Sequence, residues 1–211
     1  MAYDLEEQEQ LAELKAWWTS YGKLVVALVV IGAVVLGGWY GWRAWQKRQS
    51  AQASAMYEAL QSAVQSKNAA SIKTLHETLA QKHGGTVYAT MGGLLAAKAA
   101  VDAGDLEAAK TALRQVVDHA STDDARAMAR LRLAGLLLDQ KSYDEALKLL
   151  DGAVPDAFIA LFADRRGDVL VAQGKIAEAR KAYGDALAKL GNDDGGLRSL
   201  VQIKLDALGE G

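Results

Sequence analysis

Apolar and polar positions divide the chain into two regimes. From Leu24 to Trp42 it reads LVVALVVIGAVVLGGWYGW, 19 residues without a formal charge, closed by Lys23 and Arg43. At 1.5 Å rise per residue such a helix covers roughly 28 Å, close to the ~30 Å hydrocarbon core of a bilayer. An element apolar on every side has no face for water, so the pattern predicts a membrane span rather than a helix of a soluble core. All five tryptophans lie at its ends: Trp17 and Trp18 before it, Trp39, Trp42 and Trp45 at or after its exit. Tyr21 and Tyr40 join them, forming an aromatic belt at each interface. The preceding region carries Asp4, Glu6, Glu7, Glu9 and Glu13 against Lys15 and Lys23, and the apolar run is longer than a signal-peptide core. It therefore reads as an uncleaved anchor.

The resulting division is an N-terminal segment at 1–22, a transmembrane helix at 23–43 and a helical domain at 44–211. The first segment reads equally as a short amphipathic helix or as a solvated tail. After the span, Met56, Leu60 and Val64 recur every four residues, which predicts a helix to about Ser66. Lys67 to Ala70 loosens the pattern, and a second helix follows through Leu79 to His83-Gly84-Gly85. The next, from about Val87 to Ala103, contains Gly92, Gly93 and many alanines, so neighbouring backbones can approach it closely.

The second half repeats itself. Residues 104–113 read GDLEAAKTAL, residues 141–150 KSYDEALKLL and residues 174–183 GKIAEARKAY. Each copy has a turn and then a large apolar residue (Leu106, Tyr143, Ile176). Three residues later comes an alanine (Ala109, Ala146, Ala179), and four after that another large residue (Leu113, Leu150, Tyr183). The copies are offset by 37 and 33 residues, near the ~34-residue period of tetratricopeptide repeats. Small residues at Ala97, Ala134 and Gly167 fall twelve before those alanines. Two helices crossing at such positions can approach closely. Asp123-Asp124 reads as the cap of a helix starting near Ala125. Leu200, Ile203, Lys204 and Leu208 read as one face of a C-terminal capping helix over about 197–208, which closes the array. The fold class is all-α: a single N-terminal transmembrane helix followed by a tetratricopeptide-like helical-repeat domain.

Composition removes most chemistry. There is no cysteine, so disulfides and thiolate sites are excluded, and a single proline, Pro155, leaves helix permitted almost everywhere. The net charge of −2 argues against a nucleic-acid binder. His76, His83 and His119 lack metal-ligand spacing, and Gly84-Gly85 and Gly92-Gly93 lack the lysine and hydroxyl residue of a phosphate loop. No nucleophile, base and orienting group assemble. The reading is a non-enzymatic protein without catalytic, metal or cofactor site. Stacked hairpins leave a concave surface for a partner. Tyr57, Tyr88, Arg126 and Arg130 are its candidate residues, with Arg132 and Arg165-Arg166 as further cations, while Tyr143 and Tyr183 belong to the core.

The order of parts also resembles a known family. An acidic N-terminus, WW and YGK before the span, an aromatic exit from Trp39 to Trp45, the repeats, and the close at Lys189, Leu190, Gly191, Asn192 and Asp193 are similar to the ancillary subunit of the bacterial SecYEG translocon (YfgM-type). The resemblance covers nearly the whole chain. It implies a cell inner-membrane protein with its N-terminus in the cytoplasm and its repeat domain in the periplasm. The implied partners are the SecYEG translocon and a PpiD-type membrane-anchored chaperone, with translocating polypeptides as further contacts. Two alternatives share the same parts: a scaffold for an unrelated envelope complex, and a regulatory module that sequesters a cytoplasmic partner. Arg43, Lys47 and Arg48 against Lys15 and Lys23 tilt positive-inside counting by one residue towards a cytoplasmic C-terminus.

Overall fold

The computed structural model describes residues 2–191 and 195–209, with residues 2–10 described through their backbone. Asn192 and Asp193 of the closing motif lie outside the described residues. The elements are α1 (Ala2–Gln65), α2 (Ala69–His83), α3 (Val87–Asp102), α4 (Leu106–His119), α5 (Asp123–Asp139), α6 (Tyr143–Leu149), α7 (Asp156–Ala172), α8 (Ile176–Lys189) and α9 (Gly195–Ala207). The chain is all-α, and it divides into two compact units, Met1–Gln49 and Ser50–Gly211.

The first unit is helix throughout its described length, including the segment at 2–22. Leu24, Leu28, Ile31, Val35 and Leu36 are each more than half exposed. This is the one helix among the described residues long and apolar enough to cross a membrane. Its exit is ordered by aromatic contacts. Trp39 and Tyr40 meet edge to face at 5.2 Å, and the Arg43 guanidinium lies 4.4 Å over the Trp39 ring.

The second unit is a stack of helix hairpins, each closed by the same turn. Gly104, Lys141 and Gly174 take positive φ at the three sequence repeats, and Lys67 does so between α1 and α2. At each, the next residue's N–H reaches back to the helix just ended: Asn68 to Ala63, Asp105 to Ala100, Ser142 to Leu137, Lys175 to Leu170. This satisfies carbonyls that the helix end leaves open. That residue also precedes the following helix, and the Asn68 and Asp105 side chains accept from Ser71 N–H and Ala108 N–H. A fourth hairpin, built from residues 50–65 and α2, thus joins the three visible in the sequence.

Space at the crossings explains the small residues. Ala109, Ala134, Ala146 and Ala179 are fully buried, Ala97 is 3 % exposed, and Gly167 is buried. A methyl group on Gly167 would overlap the Tyr183 ring of α8. Gly92 and Gly93 act alike: added Cβ atoms would overlap Leu79 and Val116. The fourth hairpin places Leu60 and Ile72 at the equivalent positions, so it lacks the small-residue signature. Leu60 instead packs into a separate cluster with Ala53, Leu79 and Ala89.

α9 closes the array, with a different face from the one expected. Val201 is fully buried, and Leu197, Leu205 and Leu208 pack around it, whereas Leu200 is 49 % and Ile203 65 % exposed. At about 100° per residue, Leu197, Lys204, Leu205 and Leu208 lie within about 60° of Val201, but Leu200 and Ile203 point away. Lys204 belongs to the inner face. Its ammonium donates to both oxygens of Asp164 at 2.8 and 3.0 Å and pairs with Asp168 at 2.8 Å. Asp168 in turn accepts from the Tyr183 hydroxyl at 2.9 Å. Burial first, then the bond to Asp168, pushes the Tyr183 phenol up, so it stays a donor. One cation thereby ties α9 to α7 and α8.

Two further expectations change. Thr122, not the Asp123-Asp124 pair, caps α5: its side chain accepts from Ala125 N–H at 3.2 Å, while the aspartates occupy the first turn. Tyr183 is buried, but Tyr143 is only half-buried against the main cluster.

Gly167→Val should lower stability by about 2 kcal/mol or more, because the Tyr183 ring has nowhere to retreat. Lys204→Met should cost about 3 kcal/mol by leaving two carboxylates without their shared cation. Urea unfolding of the full chain in detergent, followed through tyrosine and tryptophan fluorescence, measures both.

Candidate functional site

Exposed apolar and basic side chains collect along the first helices of three hairpins. On α3, Val87, Met91, Leu94, Lys98 and Val101 recur at spacings of four, three, four and three residues, which is one helix face. Val87, Met91 and Val101 are 52, 42 and 42 % exposed. Facing this stripe, α5 contributes Leu131, Arg132, Gly135, Leu136 and Asp139, and α7 contributes Arg165. With Leu94, Lys98 and Val101 of the stripe they line an open cleft of about 480 Å³ with an apolar floor. Gly135 leaves room beneath the Arg165 guanidinium, which a Cβ there would approach to 3.8 Å.

The rim is basic. Lys98 pairs with Asp102 at 2.6 Å, and Arg165 with Asp168 at 3.6 Å. Arg132 is exposed and makes no ion pair among the described residues. An apolar trough edged by three cations, with Asp139 the one carboxylate in its lining, suits a segment that carries apolar side chains beside acidic ones.

The structure brings Tyr57 and Tyr88 together. Their ring centroids are 6.1 Å apart at 43°, both are half-buried, and both pack against the Leu60–Leu79 cluster. Arg126 and Arg130 lie elsewhere and bind backbone. Arg126 donates to the carbonyls of Val117 (3.1 Å) and Ala120 (3.5 Å) at the end of α4, and it pairs with Asp123. Arg130 donates to the carbonyls of Leu149 (2.7 Å), Ala153 (3.2 Å) and Asp151, and its guanidinium lies 4.8 Å over the Phe162 ring. Arg166 holds the same turn through the Leu150 carbonyl (2.9 Å) and the Asp151 carboxylate (2.6 Å). These arginines satisfy helix-end carbonyls.

The α3 stripe was open to sequence reasoning through its spacing, but the surrounding alanines and glycines hide which face is free. His76 and His83 are buried on α2, and His119 is exposed at the end of α4. Among the described residues no group of three or more histidine and acidic side chains is placed to hold a metal ion.

Comparison with known proteins places this architecture. A tetratricopeptide repeat-like domain family matches residues 15–210. The chain is 36 % identical over 212 residues to the ancillary SecYEG translocon subunit of Neisseria gonorrhoeae, covering 99 % of this chain and 100 % of the relative. It is 33 % identical over 189 residues to the Haemophilus influenzae protein of the same name, covering 88 and 91 %. With the Escherichia coli K12 protein of that name it shares 30 % identity over 177 residues, covering 84 and 85 %. An exposed apolar N-terminal helix, hairpins crossing at buried alanines and relatives matched along nearly their full length agree: this chain belongs to the family of ancillary SecYEG translocon subunits, single-pass inner-membrane proteins with a tetratricopeptide repeat-like domain.

Proposed function

We propose that this protein is a non-enzymatic ancillary subunit of the SecYEG translocon that holds a partner-binding repeat domain at the membrane. The apolar segment at 23–43 is the anchor, residues 1–22 lie in the cytoplasm, and the domain at 44–211 lies in the periplasm. The partner is a PpiD-type membrane-anchored chaperone, and translocating polypeptides are secondary contacts. The observation that carries the reading is the pairing, in one chain, of an uncovered apolar helix with a basic-rimmed apolar groove. Anchoring confines the groove to the membrane surface and raises its effective concentration beside other anchored proteins, so moderate affinity suffices. The Tyr57–Tyr88 pair extends the apolar surface towards the first hairpin, since Val87 and Met91 flank Tyr88 on the same helix.

The competing reading is sequestration of a cytoplasmic partner, which the basic exit flank of Arg43, Lys47 and Arg48 favours. Reporters fused after Gly211, one active only outside the cytoplasm and one only inside, separate the two in intact cells. A periplasmic C-terminus is expected. A cytoplasmic one overturns the proposed orientation and moves the search for partners to the other side of the membrane.

The groove is tested by co-purification with translocon and chaperone from detergent-solubilised membranes. Val101→Lys and Arg132→Glu each lie on the exposed surface of the cleft lining and should reduce capture about tenfold with an unchanged melting temperature. Arg130→Ala should behave the opposite way, lowering stability by about 2 kcal/mol through its buried carbonyl partners and leaving the groove chemistry intact.

A further inference from the structure

The joint between α2, α3 and α4 contains a polar defect that the groove does not use. His76 of α2 is only 7 % exposed, and neither of its ring nitrogens has a hydrogen-bond partner. The Oε1 of Gln115, on α4, is buried and unpartnered as well. Beside them lies a cavity of about 20 Å³, lined among others by His76, Ala80, Thr90, Gln115 and His119. Protein interiors rarely leave such groups unsatisfied, and a cavity holds a water once it offers roughly 10–15 Å³ and polar partners.

The donor inventory names the occupant. A neutral imidazole carries one N–H and one lone pair, and a carboxamide oxygen accepts only. The imidazole N–H is the donor that faces Gln115 Oε1, a bond that favours the charged ring, so the group left over is the imidazole lone pair, an acceptor without a donor, and a water supplies one. Thr90 does not serve, since its single hydroxyl proton is placed to donate to the Ser121 hydroxyl at 3.3 Å or to the Thr86 carbonyl at 3.4 Å. Around Gly93, α3 presents no side chain to the ring: a Cβ there would lie 3.5 Å from His76 Cε1.

We propose that this cavity is an internal hydration site, in which one ordered water donates to the His76 imidazole, and that it makes the α2–α4 joint the acid-sensitive element of the repeat stack. Protonating His76 turns its lone pair into a second donor and puts a charge where the water has no acceptor to give back without reorienting. The surroundings offer little compensation. Glu77, on α2, favours the charged form, and His119 of α4 adds a second titratable ring at the cavity. The cavity-lining residues of α3, Ala89 and Thr90, carry no ionisable group. Burial, the largest influence, keeps the His76 imidazole below its ordinary value of 6.5, against the smaller effects of Gln115 and Glu77. A charged ring therefore favours a conformation in which it reaches solvent. An open cleft of about 480 Å³, bounded by Ala80, Gln81, Gly84, Gly85, Gln115 and His119, shares four lining residues with the cavity and offers a route.

The sign follows from linkage. The opened state has the higher imidazole pKa, so the joint holds fully above about pH 6.5 and weakens as pH falls below it. Hydrogen exchange of the full-length protein in nanodiscs, at pH 7.5 and 5.0 and corrected for intrinsic rates, tests this. Amides of α2 and α4 should lose about tenfold or more in protection at pH 5.0, while those of α7 and α8 hold theirs. His76→Leu and, should that variant not fold, His76→Gln should abolish the pH dependence, whereas His119→Ala should keep it. Equal protection at both pH values in the wild-type chain, or an undiminished response in the His76 variants, overturns the acid-sensitive joint. The hydration site is read separately, by water-to-protein nuclear Overhauser effects at the His76 ring protons at pH 7.5. A dry ring overturns that half.

Discussion

Close approach of two helix backbones is the constraint on which the repeat domain depends. Each hairpin buries its faces only if its arms cross without a spacer, and a fully buried alanine at 109, 146 and 179 meets that demand three times. Gly167 carries it further by accepting the Tyr183 ring directly against the backbone. The ring then spans from α8 to Asp168 of α7, and the same carboxylate reaches Lys204 of α9. Removing one side chain at residue 167 thus makes room for the polar linkage that holds the terminal helix.

The polar groups of this unit are mostly engaged in closing helix ends. Arg126, Arg130, Arg166, Arg180 and Arg198 all donate to backbone carbonyls near helix termini. Arg130 and Arg166 together hold the short connection after α6, where the helix is only 7 residues long and the turn beyond it has few other partners. The groove is edged by a different set, of which Arg132 is the exposed member without an ion pair among the described residues. Arg130, which holds carbonyls, and Arg132, which lines the groove, lie within one turn of each other on α5, and the helix phase alone separates their surroundings.

The anchor, three hairpins and the last helix were legible because each leaves a local mark: an uncharged run, a turn followed by a spaced alanine, an apolar helix near the C-terminus. Both helices of the first hairpin and the break between them were legible as well, but not its kinship with the repeats, because Leu60 and Ile72 stand where its sisters have small residues. Its turn is the same in backbone but carries Lys67 where two other copies have glycine. The inner face of α9 was misread because Val201 was left out, and a shift of one residue rotates a helical face by about 100°. The functions of Arg126 and Arg130 depend on carbonyls up to 23 residues away, a pairing that no spacing rule encodes. The half-buried Tyr57–Tyr88 pair has the same character, joining residues on α1 and α3.

Two of the four hairpin turns hold a lysine in the left-handed region, Lys67 at φ 52° and Lys141 at φ 59°, where the other two hold glycine. A side chain there costs about 1 kcal/mol. Each of these two bends therefore stores backbone strain that a glycine would release, and the bend at Lys141 lies two residues beyond Asp139 of the trough lining, so stability and surface chemistry meet on the same stretch of chain.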